Sequence, residues 1–338
     1  MIIVFKSEAK PEDIERIKTD IEKLKLKVWV SKGEFRTIMG VIGDETPLRD
    51  MPLSLYPGVE KVIPILKPYK LVDREYRKEN TVIEVSPGIE IGSKSVVVMA
   101  GPCSVEGRDS LTRIAQEVKS AGAKILRGGA FKPRTSPYSF QGLGEEGLKI
   151  LREVGDEVGM AVVTEVMDPR NVEIVMKYAD ILQIGARNMH NYDLLKEVGK
   201  VDKPVLLKRG ISSTVKEWLL AAEYILNQGN FRVIMCERGI RTFEDATRFT
   251  LDINAVPLLK KITHLPVIVD PSHGTGRRDL VLAISRAAIA AGADGLLVET
   301  HYDPLKAVSD AQQTISTEEF SLLMEEIGKI ARVTGREV

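Results

Sequence analysis

The segment Arg127 to Ser136, RGGAFKPRTS, sets three cations, Arg127, Lys132 and Arg134, beside Gly128, Gly129, Thr135 and Ser136. A packed core has no use for three cations so close together, because burying them unpaired is costly. They therefore face water or face anions. The glycine pair lets backbone amides approach a ligand, and the Thr and Ser hydroxyls add donors. One reading is a solvated basic loop, as charge runs commonly are. The other is a site for a phosphorylated or carboxylated metabolite, and the rigid Gly-Gly and Pro133 favour it.

Net charge and composition require such a site to be local. The 338 residues carry 48 basic and 48 acidic side chains, so no bulk field draws nucleic acid or an anionic membrane. With 43% hydrophobic and 28% charged residues the chain reads as globular. The N-terminus, MIIVFKSEAKPEDIERI, turns charged too early for a secretory signal. No uncharged apolar run reaches the ~18 residues of a membrane helix. Two distant cysteines, Cys103 and Cys236, exclude a disulfide framework and suit a reducing cytoplasm.

The elements that would position the loop follow from periodicity. Residues 1–66 read as strand, helix from Pro11, strands at 28–30 and 37–42, a short helix over 46–56 and a strand over 59–66. This βαββαβ order is the ferredoxin-like pattern. The module shows no catalytic constellation and is expected to regulate the chain or to assemble it. Residues 67–80 are charged and read as a linker. Residues 81–338 open with a hairpin around Pro87-Gly88. Apolar strands then alternate with amphipathic helices. The strands are expected at 96–100, 124–127, 161–165, 181–186, 205–208, 232–236, 267–270 and 295–299. The helices are expected near 109–121, 144–158, 169–179, 191–199, 213–227, 252–263, 278–291 and 317–334. Such a series predicts a (β/α)8 TIM barrel with the hairpin capping its bottom, and an open doubly wound sheet is the alternative.

A barrel of this kind places its site at the C-terminal ends of the strands. Nearly every predicted strand end there offers a charged or metal-competent group, whereas bottom turns such as Ala121-Gly122-Ala123 are bland. Two sets emerge. Arg127, Lys132, Arg187 (beside Ala186), Lys208 and Arg238 would repel one another without anions, unless each pairs with an acid such as Glu165 or Glu237. Cys103, His273, Glu299 and Asp310 mix soft and hard donors and suit a transition metal: Mn, Fe, Co or Zn. Taken singly, Cys103 and His273 also fit packing or loop roles. Cys236 reads as packing.

In this order the motifs GPCS, RGGAFKPRTSPYSFQGLG, TEV, GAR, LLKRG, ERG, DPSHGTGRRDL and ETHYDP resemble 3-deoxy-D-arabino-heptulosonate 7-phosphate (DAHP) synthase. The likeness is to the group with an N-terminal ferredoxin-like domain, and it spans the whole barrel. The sister family, 3-deoxy-manno-octulosonate 8-phosphate synthase, has K-A-N-R-S-S where this chain has Lys132-Pro133-Arg134-Thr135-Ser136. The resemblance implies a condensation of phosphoenolpyruvate with erythrose 4-phosphate that releases phosphate, the first step of the shikimate route to aromatic amino acids. It assigns Arg187, Lys208 and Arg238 to the phosphoenolpyruvate phosphate. Arg127 and Lys132 fall to the carboxylate and reacting carbons, and Glu165 lies near the attacking water. Arg134 and Thr135, with Ser136 beside them, go to the acceptor phosphate. Cys103, His273, Glu299 and Asp310 become the ligands of one divalent metal per chain. Catalysis rests on Lys132, Glu165 and His273, with the proton donor either Lys132 or a metal-bound water. Tyrosine or phenylalanine is the implied effector at residues 1–66, and a homotetramer the implied assembly. The competing readings are the sister synthase, with arabinose 5-phosphate as acceptor, and a metabolite sensor without catalysis.

Overall fold

The computed structural model describes residues 1–33, 35–43, 45–48, 51–64, 67–132, 136 and 138–338. The chain divides into two compact units, Met1–Pro68 and Tyr69–Val338.

In the first unit β1 (Ile2–Phe5) leads to α1 (Pro11–Glu22), then β2 (Lys27–Lys32), β3 (Thr37–Ile42) and β4 (Val59–Ile63). Pro11 occupies the first turn of α1 beside Glu12 and Asp13, where a missing amide costs nothing and negative charge meets the helix dipole. The sheet order is β2-β3-β1-β4, with antiparallel neighbours. One face buries Ile3, Phe5, Met39 and Val41 against Ile17 and Ile21 of α1. Where a helix is expected over 46–56, the described residues form two 3-10 turns, Thr46–Leu48 and Leu53–Leu55, and residues 49–50 lie outside the described ones. Pro47 and Pro52 work against a helix there, since proline removes a helical donor and disfavours helix in the residue before it. The expected last strand stops at Ile63, and residues 65–66 lie outside the described ones.

The second unit is a TIM barrel. Its eight parallel strands are β7 (Val97–Gly101), β8 (Ile125–Arg127), β9 (Ala161–Glu165), β10 (Ile181–Ile184), β11 (Val205–Lys208), β12 (Val233–Glu237), β13 (Val267–Val269) and β14 (Gly295–His301). They pair in sequence, and β14 closes the ring against both β13 and β7. The open sheet is thereby excluded. Outside them run α2 (Arg108–Ser120), α3 (Glu145–Val158), α4 (Val172–Tyr178), α5 (Tyr192–Gly199), α6 (Val215–Leu226) and α7 (Ala255–Ile262). The one-turn α8 (Pro271–Thr275), α9 (Arg278–Ala290) and α10 (Thr317–Val333) complete the ring. Boundaries fall near those expected. The helix expected over 169–179 starts as a 3-10 turn, Pro169–Asn171.

Side chains alternate across each strand. Val98, Ala100, Leu126 and Val162 join the outer core under the helices. Val97, Met99, Ile125, Val163, Leu206 and Ile268 fill the lumen, with Cys236 among them as expected. Ile83 and Ile91, from the hairpin β5 (Ile83–Ser86) and β6 (Ile89–Ile91), belong to the same lumen cluster. Gly88, at φ 80°, takes the left-handed position of the hairpin turn. Of residues 67–80, read above as linker, those from Tyr69 onward belong to the barrel unit. Val72 is buried, and the amides of Lys70, Leu71 and Val72 donate to the Glu223 carboxylate.

Candidate active site

The alternation that fills the lumen also aims the strand ends. On β8 Ile125 points inward, so Arg127 does too. On β9 Val163 carries the register to Glu165, on β11 Leu206 to Lys208, and on β14 Leu297 to Glu299. Ile234 and Cys236 lead to Arg238, and Ile268 to Asp270. Arg127, Lys208, Arg238, Asp270 and Glu299 are all buried. The lumen is therefore apolar below and charged in its uppermost layer. A cavity opens there, lined by Arg127, Lys132, Glu165, Arg187, Lys208 and Arg238 among others.

Asp270 organises one wall. Its Oδ1 accepts the amide of His273 at 2.9 Å and caps α8, in which Pro271 takes the first position. This cap places His273 over the site. Asp270 Oδ2 accepts from Lys208 Nζ at 2.6 Å and lies 2.8 Å from His273 Nδ1. Burial would raise the Asp270 pKa, but His273 and Lys208 hold it well below the carboxylate range. The Ser272 hydroxyl accepts the Glu299 amide at 3.0 Å and ties this wall to β14.

Glu299 is the hub of the opposite side. Its Oε1 accepts from Arg127 Nη1 at 2.7 Å and lies 3.5 Å from His273 Nε2. Cys103 Sγ donates to Asp310 Oδ2 at 3.2 Å. Donor atoms of Cys103, Glu299 and Asp310 all fall within 4.8 Å of one another. Asp310 adopts φ 54°, a left-handed conformation that aspartate tolerates better than most residues. Burial pushes the Cys103 thiol up to about 12, with Glu299 adding to the shift. Lys132 Nζ donates to both the Cys103 carbonyl and Sγ, each at 2.9 Å. A thiol, two carboxylates and a nearby imidazole, with two cations turned toward them, form a donor set that fits a divalent transition metal.

Burial raises the Glu165 pKa, against the opposing pull of Lys132 and Lys208. Gln183 Nε2 donates to it at 3.4 Å. A Cβ at Gly185 would stand 2.0 Å from Glu165 Oε1, so the glycine leaves room for the carboxylate. Arg127 and Lys208 have carboxylate partners, but these are Glu299 and Asp270 rather than Glu165 or Glu237. Arg238 has none among the described residues. Its Nη1 is buried without a hydrogen-bond partner, and its guanidinium lies 4.2 Å from the Phe249 ring centre. Ala186 and Arg187 line the cavity. Ser136 is exposed and does not line it. Arg134 and Thr135 lie outside the described residues.

Sequence reasoning gave no role to Gln183, Asp270, Arg248 or Gln313. Continuing the two-residue register beyond Ile181 and Ile268 finds the first two. Nothing local marks Arg248, which also lines the cavity, or Gln313.

Residues 78–333 match the model of the DAHP synthetase I family, and residues 1–67 match that of the DAHP synthase ferredoxin-like domain. A phospho-2-dehydro-3-deoxyheptonate aldolase of Thermotoga maritima is 52% identical over 338 residues, covering 100% of both chains. A crystal structure of phospho-2-dehydro-3-deoxyheptonate aldolase (DAHP synthase) from Thermotoga maritima superposes with a TM-score of 0.95 at 51% identity, covering 100% of this chain and 98% of that one. A 2-dehydro-3-deoxyphosphooctonate aldolase of Syntrophobacter fumaroxidans is 34% identical over 264 residues, covering 73% of this chain and 91% of the relative. Full-length matching places this chain with the first of these: it belongs to the DAHP synthetase I family, transferases that form DAHP from phosphoenolpyruvate and erythrose 4-phosphate.

Proposed function

We propose that this chain carries out the condensation with a divalent metal held by Cys103, His273, Glu299 and Asp310, under feedback control through residues 1–66. The observation that carries this reading is the charged top layer of the lumen, where open and paired cations face the Cys103–Glu299–Asp310 cluster across one cavity. Two phosphorylated anions must meet there, and without cations their repulsion would keep them apart. Arg187, Lys208 and Arg238 hold the phosphoenolpyruvate phosphate. Arg127 and Lys132 hold its carboxylate and set the enol carbon against the aldehyde in reacting geometry. Arg134 and Thr135, with Ser136 beside them, take the acceptor phosphate.

The C3–C1 bond forms as the enol attacks the aldehyde. Lys132, close to Cys103 in the cavity, holds the proton that the aldehyde oxygen takes up. Glu165, with its pKa raised by burial, accepts a proton from the water that adds to C2 before phosphate leaves. A bound metal supplies Lewis acidity toward the aldehyde oxygen.

Residues 1–66 serve as the sensor for tyrosine or phenylalanine and assemble the homotetramer. A cytoplasmic location suits two free, buried cysteines. Among the described residues no helix is long and apolar enough to cross a membrane.

One assay tests the reading. Phosphate release from phosphoenolpyruvate is expected with erythrose 4-phosphate, to stop with EDTA and to return with Mn2+. Tyrosine or phenylalanine is expected to slow it, and deletion of residues 1–66 to remove that inhibition but not the activity. Preference for arabinose 5-phosphate would overturn the substrate assignment. Turnover untouched by chelation would overturn the metal, and inhibition that survives deletion would overturn the sensor.

A further inference from the structure

Arg248 and Gln313 have no part in the chemistry above, yet both reach the donor cluster. Gln313 follows Asp310 and is only 2% exposed. Both ends of its amide are used. Nε2 donates to Glu299 Oε2 at 2.5 Å, and Oε1 accepts from Arg248 Nη1 at 2.7 Å. The same Arg248 nitrogen donates to Asp310 Oδ1 at 3.4 Å. Each carboxylate is thus held by one oxygen while the other stays in the site. Asp310 Oδ2 accepts from Cys103, and Glu299 Oε1 accepts from Arg127.

Arg248 is itself anchored. Its amide donates to the Thr275 carbonyl at 3.0 Å. Gly276, at φ 66°, has no side chain, and a Cβ there would stand 2.3 Å from Arg248 Cβ. The residue lies between β12 and α7, is bonded at its backbone to the end of α8, and reaches side chains beyond β14. One arginine therefore links three of the loops that build the site.

We propose that Gln313, braced by Arg248, is a positioning residue that orients Glu299 and Asp310 toward the divalent ion. The inference rests on the metal reading given above. Its chemistry is specific to an amide. A glutamate at 313 would offer acceptors only and set a second negative charge against Glu299. A methionine would leave both Glu299 Oε2 and the guanidinium without this partner. In a buried network such losses are felt strongly, and partners behind metal ligands commonly set affinity by about 10- to 100-fold.

The test is a Mn2+ titration of the metal-free full-length chain, with free Mn2+ read by electron paramagnetic resonance and thermal melting of each metal-free variant alongside. Gln313→Met keeps the net charge, so a change reports orientation rather than field. It is expected to raise the Mn2+ Kd about 10- to 100-fold. Arg248→Lys keeps the charge but loses the planar fork, and is expected to raise Kd by a smaller factor. Cys103→Ala is expected to lose Mn2+ binding outright. If Cys103→Ala binds like the parent, the metal reading itself fails. If Cys103→Ala loses the ion while Gln313→Met binds it like the parent, the metal reading stands and the positioning role is overturned. Should Gln313→Met melt too low to titrate, Arg248→Lys decides: a raised Kd supports the proposal and a parental Kd overturns it.

Discussion

The two ends of the barrel lumen share one backbone register and opposite chemistry. At the bottom, Ile83 and Ile91 of the hairpin close over Val97, Ile125 and Ile181 in a cluster of apolar side chains. At the top, the same alternation brings Arg127, Lys208, Arg238, Asp270 and Glu299 into burial. The bottom is stabilised by removing apolar area from water. The top must offset the desolvation of charges, and it does so unevenly. Arg209 is paired: Nη1 donates to Glu237 and Asp252 at 2.9 Å each, and Nε to the Ser213 carbonyl. Arg238, on the neighbouring strand's end, has a buried Nη1 with no partner, and burial lowers its pKa. A closed cation is architecture, whereas an open one is held ready for an anion.

Substituting the two arginines puts this contrast under the greatest strain. Arg238→Met is expected to cost about 100- to 1000-fold in kcat/KM for phosphoenolpyruvate. Its melting temperature should hold or rise, because an unpaired buried charge is gone. Arg209→Met should do the reverse. It leaves Glu237 and Asp252 without their cation and is expected to cost about 3–5 kcal/mol in denaturant titration. Stability loss in the first variant with none in the second would reverse the roles assigned here.

A cavity at the bottom gives a smaller effect and asks whether the ends are independent. Ile83→Ala is expected to cost about 2–5 kcal/mol while kcat and KM stay at parental values. A shifted KM for either substrate would show that the apolar layer transmits strain to the site.

The smallest effect concerns a histidine that precedes β13. His264 Nε2 faces the Leu71 carbonyl at 2.8 Å and must donate, so Nδ1 accepts from the Thr81 hydroxyl at 2.7 Å. The neutral ring satisfies both, and burial lowers its pKa from 6.5. As pH falls below that value the unfolded chain takes up the proton first. The contribution to stability is therefore full above the unfolded pKa and is lost as pH falls toward the lowered folded one. Melting temperature should drop more steeply on acidification in the parent than in His264→Gln. Equal slopes would remove His264 from the account.

Much of the fold was legible because its signals are local. Apolar strands of period two and amphipathic helices announce themselves within a dozen residues. The strand-end residues then follow from the barrel rule. Where the local signal was mixed, the reading slipped. Residues 46–56 read as a helix, but beside the two prolines the described residues form 3-10 turns. Residues 67–80 look like linker by charge, yet Glu223, far along the chain, gathers the amides of Lys70, Leu71 and Val72.

By itself, then, the sequence determined the order of elements and the residue types delivered to the top of the lumen. Only the tertiary structure decided which cations are paired and which are open, since Arg209 and Arg238 each sit beside an acid in sequence or space. It also decided that Asp270 orients Lys208 and His273, and that Gln313 joins Arg248 to Glu299. The reason is physical. Periodicity is written into neighbouring residues, whereas the partner of a buried charge is chosen by whichever distant group closure of the barrel brings within hydrogen-bond reach.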